Sequence, residues 1–402
     1  MANRSEHLHA EFPDEGTLVR IERALAEVSD VREPLRRAEA LRRKLEPETA
    51  RWAAELAELR ERAAARFPSG WIRFATRRAL EQSTREPVAR ERARRIAAVA
   101  PGCAVYDATC GLGADARAVS EMGTAVVAAD LDAQVARCAS LNLAGTKAVV
   151  VRADALAPPV HSASMFLVVD PDRRAEGARE LDPERWSPPW SALAKLAGRF
   201  VGACIKLSPA FDMEQARGGV WDGALAQWTS ERGELCEASL WLGVGAGELG
   251  GQREAVVLGP GTVGRLAGVP VPVRVALSEK VAGNFWLVDP DPAVVRAGLV
   301  GNLGRELGLD GLDPMLAYLV GPKPPPTPLA KAWRVLAEVP ADPRKVREAL
   351  EQHGFGAVEV RKRGHPDPAE ELARRFRASG PRRGLVAVAR TEAGHRAFVL
   401  EP

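Results

Sequence analysis

The chain has 402 residues, of which 46% are hydrophobic and 27% charged, with a formal net charge of +3. This composition excludes a wholly disordered chain, and the length predicts two or three domains. The longest apolar runs, such as 125–129 and 165–169, are far shorter than the roughly 20 residues that a membrane helix needs. We therefore predict no membrane partner.

Two further features concern the compartment and metal binding. The first residues are polar and acidic, without the basic and apolar segments of a secretory signal. The five cysteines form no Cys-x-x-Cys pair, so we expect reduced thiols and a cytoplasmic location. The six histidines show no metal-ligand spacing, and we predict no metal.

Most of the first hundred residues are predicted to be helical. Apolar residues recur at helical spacing over 17–66, and Pro34 and Pro47 divide this stretch. A second helical segment is predicted over 74–99. The interpretation is a helical N-terminal part that covers the next domain.

From residue 104 the pattern alternates between strands and helices, which predicts a parallel sheet with helices on both faces. The apolar segments 235–242 and 253–258, joined by a Gly-rich loop, predict an antiparallel hairpin that closes the sheet. The predicted strands are 105–107, 124–130, 148–154, 165–170 and 200–207, and the predicted helices are 114–122, 132–143 and 190–198.

Beyond residue 260 the composition changes. The proline-rich stretch 320–328 predicts a stiff linker. After it, a unit of alternating elements is predicted, with strands at 333–338, 358–362 and 384–390 and helices at 343–353 and 368–378.

A glycine-containing turn follows the first predicted strand. Gly111 and Gly113 would let backbone N–H groups approach a ligand at a helix N-terminus. This spacing alone fits a dinucleotide or a methyl donor. Here Asp107 and Thr109 separate the strand from the glycines, and a carboxylate at the strand end repels a pyrophosphate. The pattern therefore favours S-adenosylmethionine.

Two more carboxylates follow predicted strands. Asp130 ends the second strand and is placed to accept hydrogen bonds from ribose hydroxyls, with Asp132 as a less favoured alternative. Asp154 ends the third strand and is assigned to the adenine amino group. Each aspartate taken alone is equally typical of a helix cap or turn.

The fourth strand ends in Asp170 and Pro171, where a carboxylate can orient an acceptor amine toward a methyl donor. Arg173 and Arg174 are candidates for a substrate phosphate. Trp186 could stack on a base, although core packing is as typical of a tryptophan. Lys206 ends the fifth strand, facing the substrate or pairing with Asp170.

Several motifs together resemble a bacterial family of class I S-adenosylmethionine-dependent methyltransferases with a C-terminal THUMP-like domain. The resemblance covers most of the chain from about residue 75 onward. The segments that carry it are Glu81–Thr84, Asp107–Asp115, Asp170–Arg174, Lys206–Pro209 with Asp212, Trp241, Asn284–Pro290, Tyr318-Leu319 and Arg361–Gly364.

The resemblance implies an α/β fold with a Rossmann-like seven-stranded sheet, flanked by helical and α+β parts. Gln82 would touch the methionine carboxylate of the cofactor. Ala114 and Asp172 depart from the family pattern, which often has Gly and Ala there. The implied parts are a helical region (1–73), a methyltransferase domain (74–260), a small ferredoxin-like domain (261–322) and a THUMP-like domain (325–402).

The last part is the basic one. Residues 331–402 carry 15 Lys/Arg against 10 Asp/Glu, and Arg361, Lys362 and Arg363 follow a predicted strand. If these side chains converge, they form a phosphate-binding surface. Charge alone is equally consistent with a scattered solvated surface, and the THUMP-like resemblance favours RNA.

The hypothesis is an S-adenosylmethionine-dependent methyltransferase that acts on RNA. Two alternatives stay open: a methyltransferase for a small molecule or protein, and an RNA-binding protein with an inactive core.

Overall fold

A computed structural model describes residues 12–175, 178–180, 182–275, 285–391 and 394–402, apart from the side chains of residues 174–179. The chain divides into two compact units, 1–205 and 206–402. Asn284, which belongs to one of the segments that carry the resemblance, lies outside the described residues. Among the helices of the described part, none is long and apolar enough to span a bilayer.

The first unit begins with three helices, α1 (Glu15–Glu27), α2 (Pro34–Arg42) and α3 (Pro47–Ala63). Pro34 and Pro47 are the first residues of α2 and α3, a position where the missing N–H costs nothing. This confirms the predicted division of the helical stretch at these two prolines. An ion pair of 2.7 Å between Arg60 and Glu22 joins α3 to α1.

The helix predicted over 74–99 is two helices, α4 (Arg77–Gln82) and α5 (Glu86–Val99). Pro87 explains the break, because a proline inside a helix would remove a backbone hydrogen bond and clash with the preceding turn. In the structure Pro87 lies in the first turn of α5, where it is tolerated.

A parallel sheet follows in the first unit, with strand order β7-β4-β1-β2-β3, and it confirms the predicted strand–helix alternation. All five residues of β4 are buried, as expected for a strand covered on both faces. The strands are β1 (Ala104–Asp107), β2 (Val126–Asp130), β3 (Ala148–Arg152), β4 (Met165–Val169), the short pair β5 (Arg174–Ala175) and β6 (Ala178–Arg179), and β7 (Gly202–Leu207), and the helices are α6 (Ala114–Glu121), α7 (Ala133–Asn142) and α8 (Trp190–Ala197).

The second unit begins at Lys206, within β7, and contains four further strands in the order β11-β10-β8-β9. They are β8 (Leu225–Glu231), β9 (Glu234–Gly243), β10 (Arg253–Gly259) and β11 (Thr262–Gly268). The predicted hairpin between 235–242 and 253–258 is wrong. β9 pairs antiparallel with β8, whereas β10 runs parallel to β8 and forms its hairpin with β11.

Strand β8 escaped prediction because its interior is polar. Gln227 is buried and donates to Glu254 over 2.7 Å, while its Oε1 accepts from the Trp241 indole over 3.2 Å. Buried polar groups that satisfy one another do not produce the apolar pattern from which strands are recognised.

A seven-stranded sheet forms the rest of the second unit, in the order β13-β14-β12-β15-β18-β17-β16. The helices and strands predicted after residue 330 are confirmed, and the closing strand β18 was not predicted. The elements are β12 (Trp286–Pro290), α9 (Pro292–Ala297), α10 (Val300–Leu307), β13 (Asp310–Gly311), β14 (Leu319–Gly321), β15 (Ala330–Pro340), α11 (Pro343–Gln352), β16 (Phe355–Arg363), α12 (Ala369–Phe376), β17 (Arg382–Thr391) and β18 (Gly394–Leu400).

The proline-rich stretch 320–328 connects strands of one sheet. β12 pairs antiparallel with β15 over five residue pairs, from Trp286–Arg334 to Pro290–Ala330. One apolar cluster contains Phe285, Tyr318 and Phe398. The parts expected at 261–322 and 325–402 therefore share a sheet and a core.

Candidate functional site

Three aspartates lie at the same edge of the first unit's sheet. Asp107 is the last residue of β1 and is buried, Asp130 is the last residue of β2, and Asp154 follows β3 and is exposed. Because these strands are parallel and adjacent, their carboxyl ends meet at one edge. This is the edge where open α/β sheets bind ligands.

Asp130 links the glycine turn to β2. Its Oδ2 accepts a hydrogen bond of 3.1 Å from the Gly111 N–H, and its Oδ1 accepts one of 3.0 Å from the Asp132 N–H. Asp132 itself caps α7 by accepting from the N–H groups of Gln134 and Val135. The structure therefore separates the two aspartates, with Asp132 engaged as a helix cap.

The two glycines adopt left-handed conformations, with φ of +54° at Gly111 and +92° at Gly113. A Cβ on Gly113 would lie 2.9 Å from Leu143 Cδ1, whereas a Cβ on Gly111 would point into open space. Ala114 is the first residue of α6 and has helical backbone, so its Cβ introduces no strain of the kind that glycine relieves. The turn thus leaves open space beside Gly111.

The three carboxylates influence the pKa values of the same neighbouring side chains. Burial raises the pKa of the Cys110 thiol well above its usual value, and the Asp107 and Asp130 carboxylates raise it further. Burial raises the pKa of Tyr106 to about 12, with added contributions from Asp107 and Asp154. Burial also raises the pKa of Asp130 above its ordinary value. With the carboxylates of Asp107, Asp130 and Asp154 at its strand ends, the edge suits a cationic ligand.

Exposed apolar side chains flank these carboxylates in the chain. Leu131, next to Asp130, is 62% exposed, and Leu156, two residues after Asp154, is 38% exposed. Large exposed hydrophobic groups beside acidic groups form a surface that fits a flat, partly polar ring system.

A second part of the site follows β4, where Thr109 joins two strand ends. Its Oγ1 accepts a hydrogen bond of 2.7 Å from the Asp170 N–H, which holds the turn after β1 against the end of β4. The Arg173 Nη2 lies 4.0 Å from Asp170 Oδ1. Its Nη1 is buried and has no hydrogen-bond partner within the described part of the chain.

Asp172 fixes the loop between Asp170 and Arg173. Its carboxylate binds Arg78 of α4 over 2.6 Å, and its backbone exchanges two hydrogen bonds with Ser187. The departure at Asp172 thus has a structural role in the loop. The side chain of Arg174 lies outside the described part of the structure.

Of the two alternatives for Trp186, stacking on a base and core packing, the structure supports core packing. Trp186 is only 6% exposed, its Nε1 donates to the Glu180 carbonyl over 3.2 Å, and its ring packs edge-on against Trp190. In this conformation Trp186 is a packing residue, because burying its ring against Trp190 removes more apolar area from water than leaving it at the rim.

Two other candidates lie apart from the carboxylates in the chain. Gln82 is exposed at the C-terminal end of α4. Lys206 is buried near the end of β7 and belongs to the second unit.

One residue that holds the glycine turn, Asn142, was not predicted from the sequence. Asn142, at the end of α7 and buried, accepts from the N–H groups of Arg73 and Phe74. Its Nδ2 donates to the carbonyls of Phe74 and Leu112. A polar residue at a helix end is common and gives no local signal, so only the three-dimensional structure shows that Asn142 joins distant segments.

A buried ion pair supports the same turn from the side. Asp115, in the first turn of α6, pairs with Arg92 of α5, and both side chains are almost fully buried. The Thr84 hydroxyl lies 3.5 Å from Asp115. This pair was also missed, since its members are far apart in the sequence.

The three basic residues at the end of β16 do not form one exposed basic surface. Arg361 and Arg363 both bind the Asp289 carboxylate, at 3.2 and 2.5 Å, and lie over the rings of Trp333 and Tyr318. Lys362 instead donates to the His365 carbonyl. The two arginines are therefore largely compensated within the unit.

Other basic side chains of the last part are exposed. They include Arg374, Arg377, Arg383 and Arg390. Arg375 is also exposed and pairs with Asp367 over 2.6 Å.

A solved structure shares this fold. The crystal structure of a provisionally named methyltransferase from Porphyromonas gingivalis W83 superposes with a TM-score of 0.72, covering 97% of this chain and 98% of that one. At 17% identity this likeness shows the fold alone. The fold and the edge of acidic residues define the class I methyltransferase type of α/β protein, as predicted.

Curated relatives give the family. Proteins from Mycobacterium tuberculosis strains CDC 1551 / Oshkosh and H37Rv, described as uncharacterized S-adenosylmethionine-dependent methyltransferases, are each 36% identical over 360 residues. The match covers 87% of this chain and 95% of each relative. Residues 330–402 also match the family "THUMP domain-like". The chain belongs to the S-adenosylmethionine-dependent methyltransferases, and its cofactor is S-adenosylmethionine.

Proposed function

We propose that this protein transfers a methyl group from S-adenosylmethionine to RNA, with the part from residue 325 onward binding the RNA. The observation that carries the enzymatic part is the meeting of Asp107, Asp130 and Asp154 at one sheet edge beside a glycine turn. The match of residues 330–402 to THUMP-like domains supports RNA as the acceptor.

The residues at the edge fit the cofactor. Three carboxylates at one edge, of which Asp107 is buried, with open space beside Gly111, suit a ligand that carries an ammonium and a sulfonium charge. In this proposal Asp107 and the turn from Thr109 to Gly113 hold the methionine half. Asp130 accepts from the ribose hydroxyls, and Asp154 accepts from the adenine amine.

The residues after β4 are assigned to the acceptor. The bound cofactor supplies an activated methyl group, so the task of the protein is alignment. Asp170 and Pro171 orient the acceptor, and the 2.7 Å bond to Thr109 fixes their position relative to the glycine turn. A neutral amine acceptor needs no dedicated base. The part played by Gln82 and Lys206 stays a prediction.

Arg173 is assigned to a phosphate of the acceptor. Its guanidinium is partly exposed, it lies near Asp170, and its buried Nη1 retains hydrogen-bonding capacity within the described part of the chain. An arginine in this state gains a charge-assisted bond when an anion arrives. We expect Arg173→Lys to weaken acceptor binding without changing cofactor affinity.

For the RNA surface we infer that exposed arginines contribute more than Arg361 and Arg363, whose charge Asp289 already offsets. Replacing Arg374 and Arg377 with alanine should weaken RNA binding and reduce its salt dependence. The matched control removes two charges from α1, as Arg20→Ala with Arg23→Ala. Equal effects of the two pairs would mean that RNA binding depends only on the overall charge of the protein.

The direct test is transfer of tritiated methyl groups from labelled cofactor into cellular RNA, protein and small-molecule fractions. The proposal expects label in RNA, and none when Asp130 is replaced by alanine. Label in protein or metabolites would support a different acceptor. RNA binding without cofactor binding would instead identify an RNA-binding protein with an inactive core.

A further inference from the structure

Two histidine rings lie against each other in the part of the second unit that matches THUMP-like domains. His365 follows β16, and His395 is the second residue of β18, opposite Arg390 of β17 in the strand register. The ring centroids are 4.6 Å apart, with their planes tilted by 58°, and both side chains are partly buried. The proposed methyl transfer uses neither ring.

The hydrogen bonds of the two rings determine which nitrogen of each carries a proton. His365 Nδ1 lies 3.1 Å from the Asp367 backbone nitrogen, whose N–H can only donate, so Nδ1 is an unprotonated acceptor. His395 Nε2 lies 3.1 Å from the Gly364 carbonyl, which can only accept, so Nε2 is protonated. His395 can therefore gain a second proton and keep its bond, whereas His365 would lose its bond to Asp367.

The same loop, residues 364–367, holds two basic side chains. The His365 carbonyl accepts a hydrogen bond of 2.8 Å from Lys362 Nζ at the end of β16. Asp367 Oδ2 accepts one of 2.6 Å from Arg375 of α12. The loop thus joins the end of β16 to α12, while its contact with His395 joins it to β18.

The surroundings of His365 favour its neutral form. Burial lowers its pKa most, followed by the charge of His395, while Asp367 opposes the shift and Lys362 and Arg375 add to it. The unfolded chain therefore binds this proton more tightly than the folded protein does. The closed loop contributes fully to stability above the ordinary histidine pKa of about 6.5, and this contribution is lost as the pH falls through the lowered pKa of folded His365.

We propose that His365 and His395 form a pH-sensitive latch, which keeps loop 364–367 closed at neutral pH and opens it when His365 gains a proton. Protonation at Nδ1 removes the acceptor of the Asp367 N–H and places a cation against the His395 ring. Opening frees the Lys362 ammonium from the His365 carbonyl and adds the charge of His365. This face of the second unit then becomes more basic in mild acid. The latch is a property of the protein beyond the proposed methyl transfer.

The first measurement is the pH titration of the imidazoles, by NMR of the full-length protein labelled at histidine. His365→Asn and His161→Asn assign the two signals by their loss. His161 is exposed in the first unit and gives the reference titration. The proposal expects His365 to titrate at a lower pH than His161 in the wild type.

The second measurement is hydrogen exchange of the Asp367 N–H over the same pH range, corrected for the intrinsic pH dependence of exchange. In the wild type and in His161→Asn, we expect protection to fall about three- to tenfold as the pH passes below the His365 pKa, as for loss of one hydrogen bond. In His365→Asn the amide oxygen stands in place of Nδ1 and gains no proton, so protection should persist.

Two results would overturn the inference. One is titration of His365 at the same pH as His161 or higher, which is read from the wild type and so does not depend on how well the variant folds. The other is an equal loss of Asp367 protection in acid in His365→Asn and the wild type. Both measurements are made without cofactor or RNA, so either result would leave the proposed function standing.

Discussion

At the scale of single residues, the balance of burial and charge at Asp130 is the most informative feature. Burial raises its pKa although it accepts two backbone hydrogen bonds. The ionised Asp130 carboxylate is the form that accepts hydrogen bonds from two ribose hydroxyls. Affinity for S-adenosylmethionine should therefore be full above the raised pKa of Asp130 and be lost as the pH falls through that pKa. An exposed aspartate would lose its charge only at lower pH.

We therefore expect the affinity of the wild type for S-adenosylmethionine to fall as the pH is lowered from neutral, starting at a higher pH than an ordinary aspartate would require. Asp130→Asn should bind roughly 10- to 100-fold more weakly at pH 7, as for loss of a charge-assisted hydrogen bond. Its affinity should vary less with pH. Calorimetric titrations at several pH values check this, and parallel pH profiles of the two proteins would contradict the assignment.

Gly113 allows a second residue-scale prediction. Alanine at Gly113 would be strained at φ +92° and would press on Leu143. Gly123 has a similar φ of +87° but open space around it, so it serves as the control. We expect Gly123→Ala to cost about 1–2 kcal/mol of unfolding free energy and Gly113→Ala about 1–3 kcal/mol more. Urea denaturation measures both, and equal costs would show that Leu143 yields.

At the scale of elements, Asn142 determines how the glycine turn is held. Its four hydrogen bonds join α7, the segment before α4 and the turn at Leu112. Asn142→Ala leaves buried backbone groups unsatisfied, and we expect a loss of about 2–4 kcal/mol. The cofactor affinity of the folded fraction should also fall. A change within 0.5 kcal/mol would mean that water replaces the amide.

The elements also show what a sequence can and cannot predict. The parallel strands and the acidic residues at their ends were predictable, because apolar runs and strand-end positions are local features. The polar strand β8 and the pairing of Arg92 with Asp115 were not, because each depends on partners distant in the sequence. The break before Pro87 does have a local signal, the proline itself, and the prediction of one helix over 74–99 overlooked it.

Three candidate binding residues, Trp186, Arg361 and Arg363, are engaged within the fold. Trp186 had the residue type of a stacking platform, but its ring is buried against Trp190. Arg361 and Arg363 had the spacing of a basic surface, but alternate residues of β16 both reach Asp289. Composition predicts charge, and only the fold shows which carboxylate offsets it.

At the scale of the whole molecule, the shared sheet of the second unit changes how the RNA hypothesis is tested. Truncation after residue 324 would remove β15 to β18. Of these strands, β15 pairs with β12, and together they contribute Val335, Leu385 and Phe398 to a common core. We expect the truncated protein to be aggregated or to melt at a markedly lower temperature. A truncated protein that unfolds cooperatively at the wild-type temperature would contradict this.

The central claim is that Asp107, Asp130 and Asp154 surround one site for S-adenosylmethionine. Its most direct test is calorimetric titration of the cofactor into the wild type and into three variants, each with one of these aspartates replaced by asparagine. The account expects one molecule of cofactor bound per wild-type chain. It expects every variant to bind the cofactor at least roughly tenfold more weakly than the wild type. No binding by the wild type, or unchanged affinity in all three variants, would contradict it.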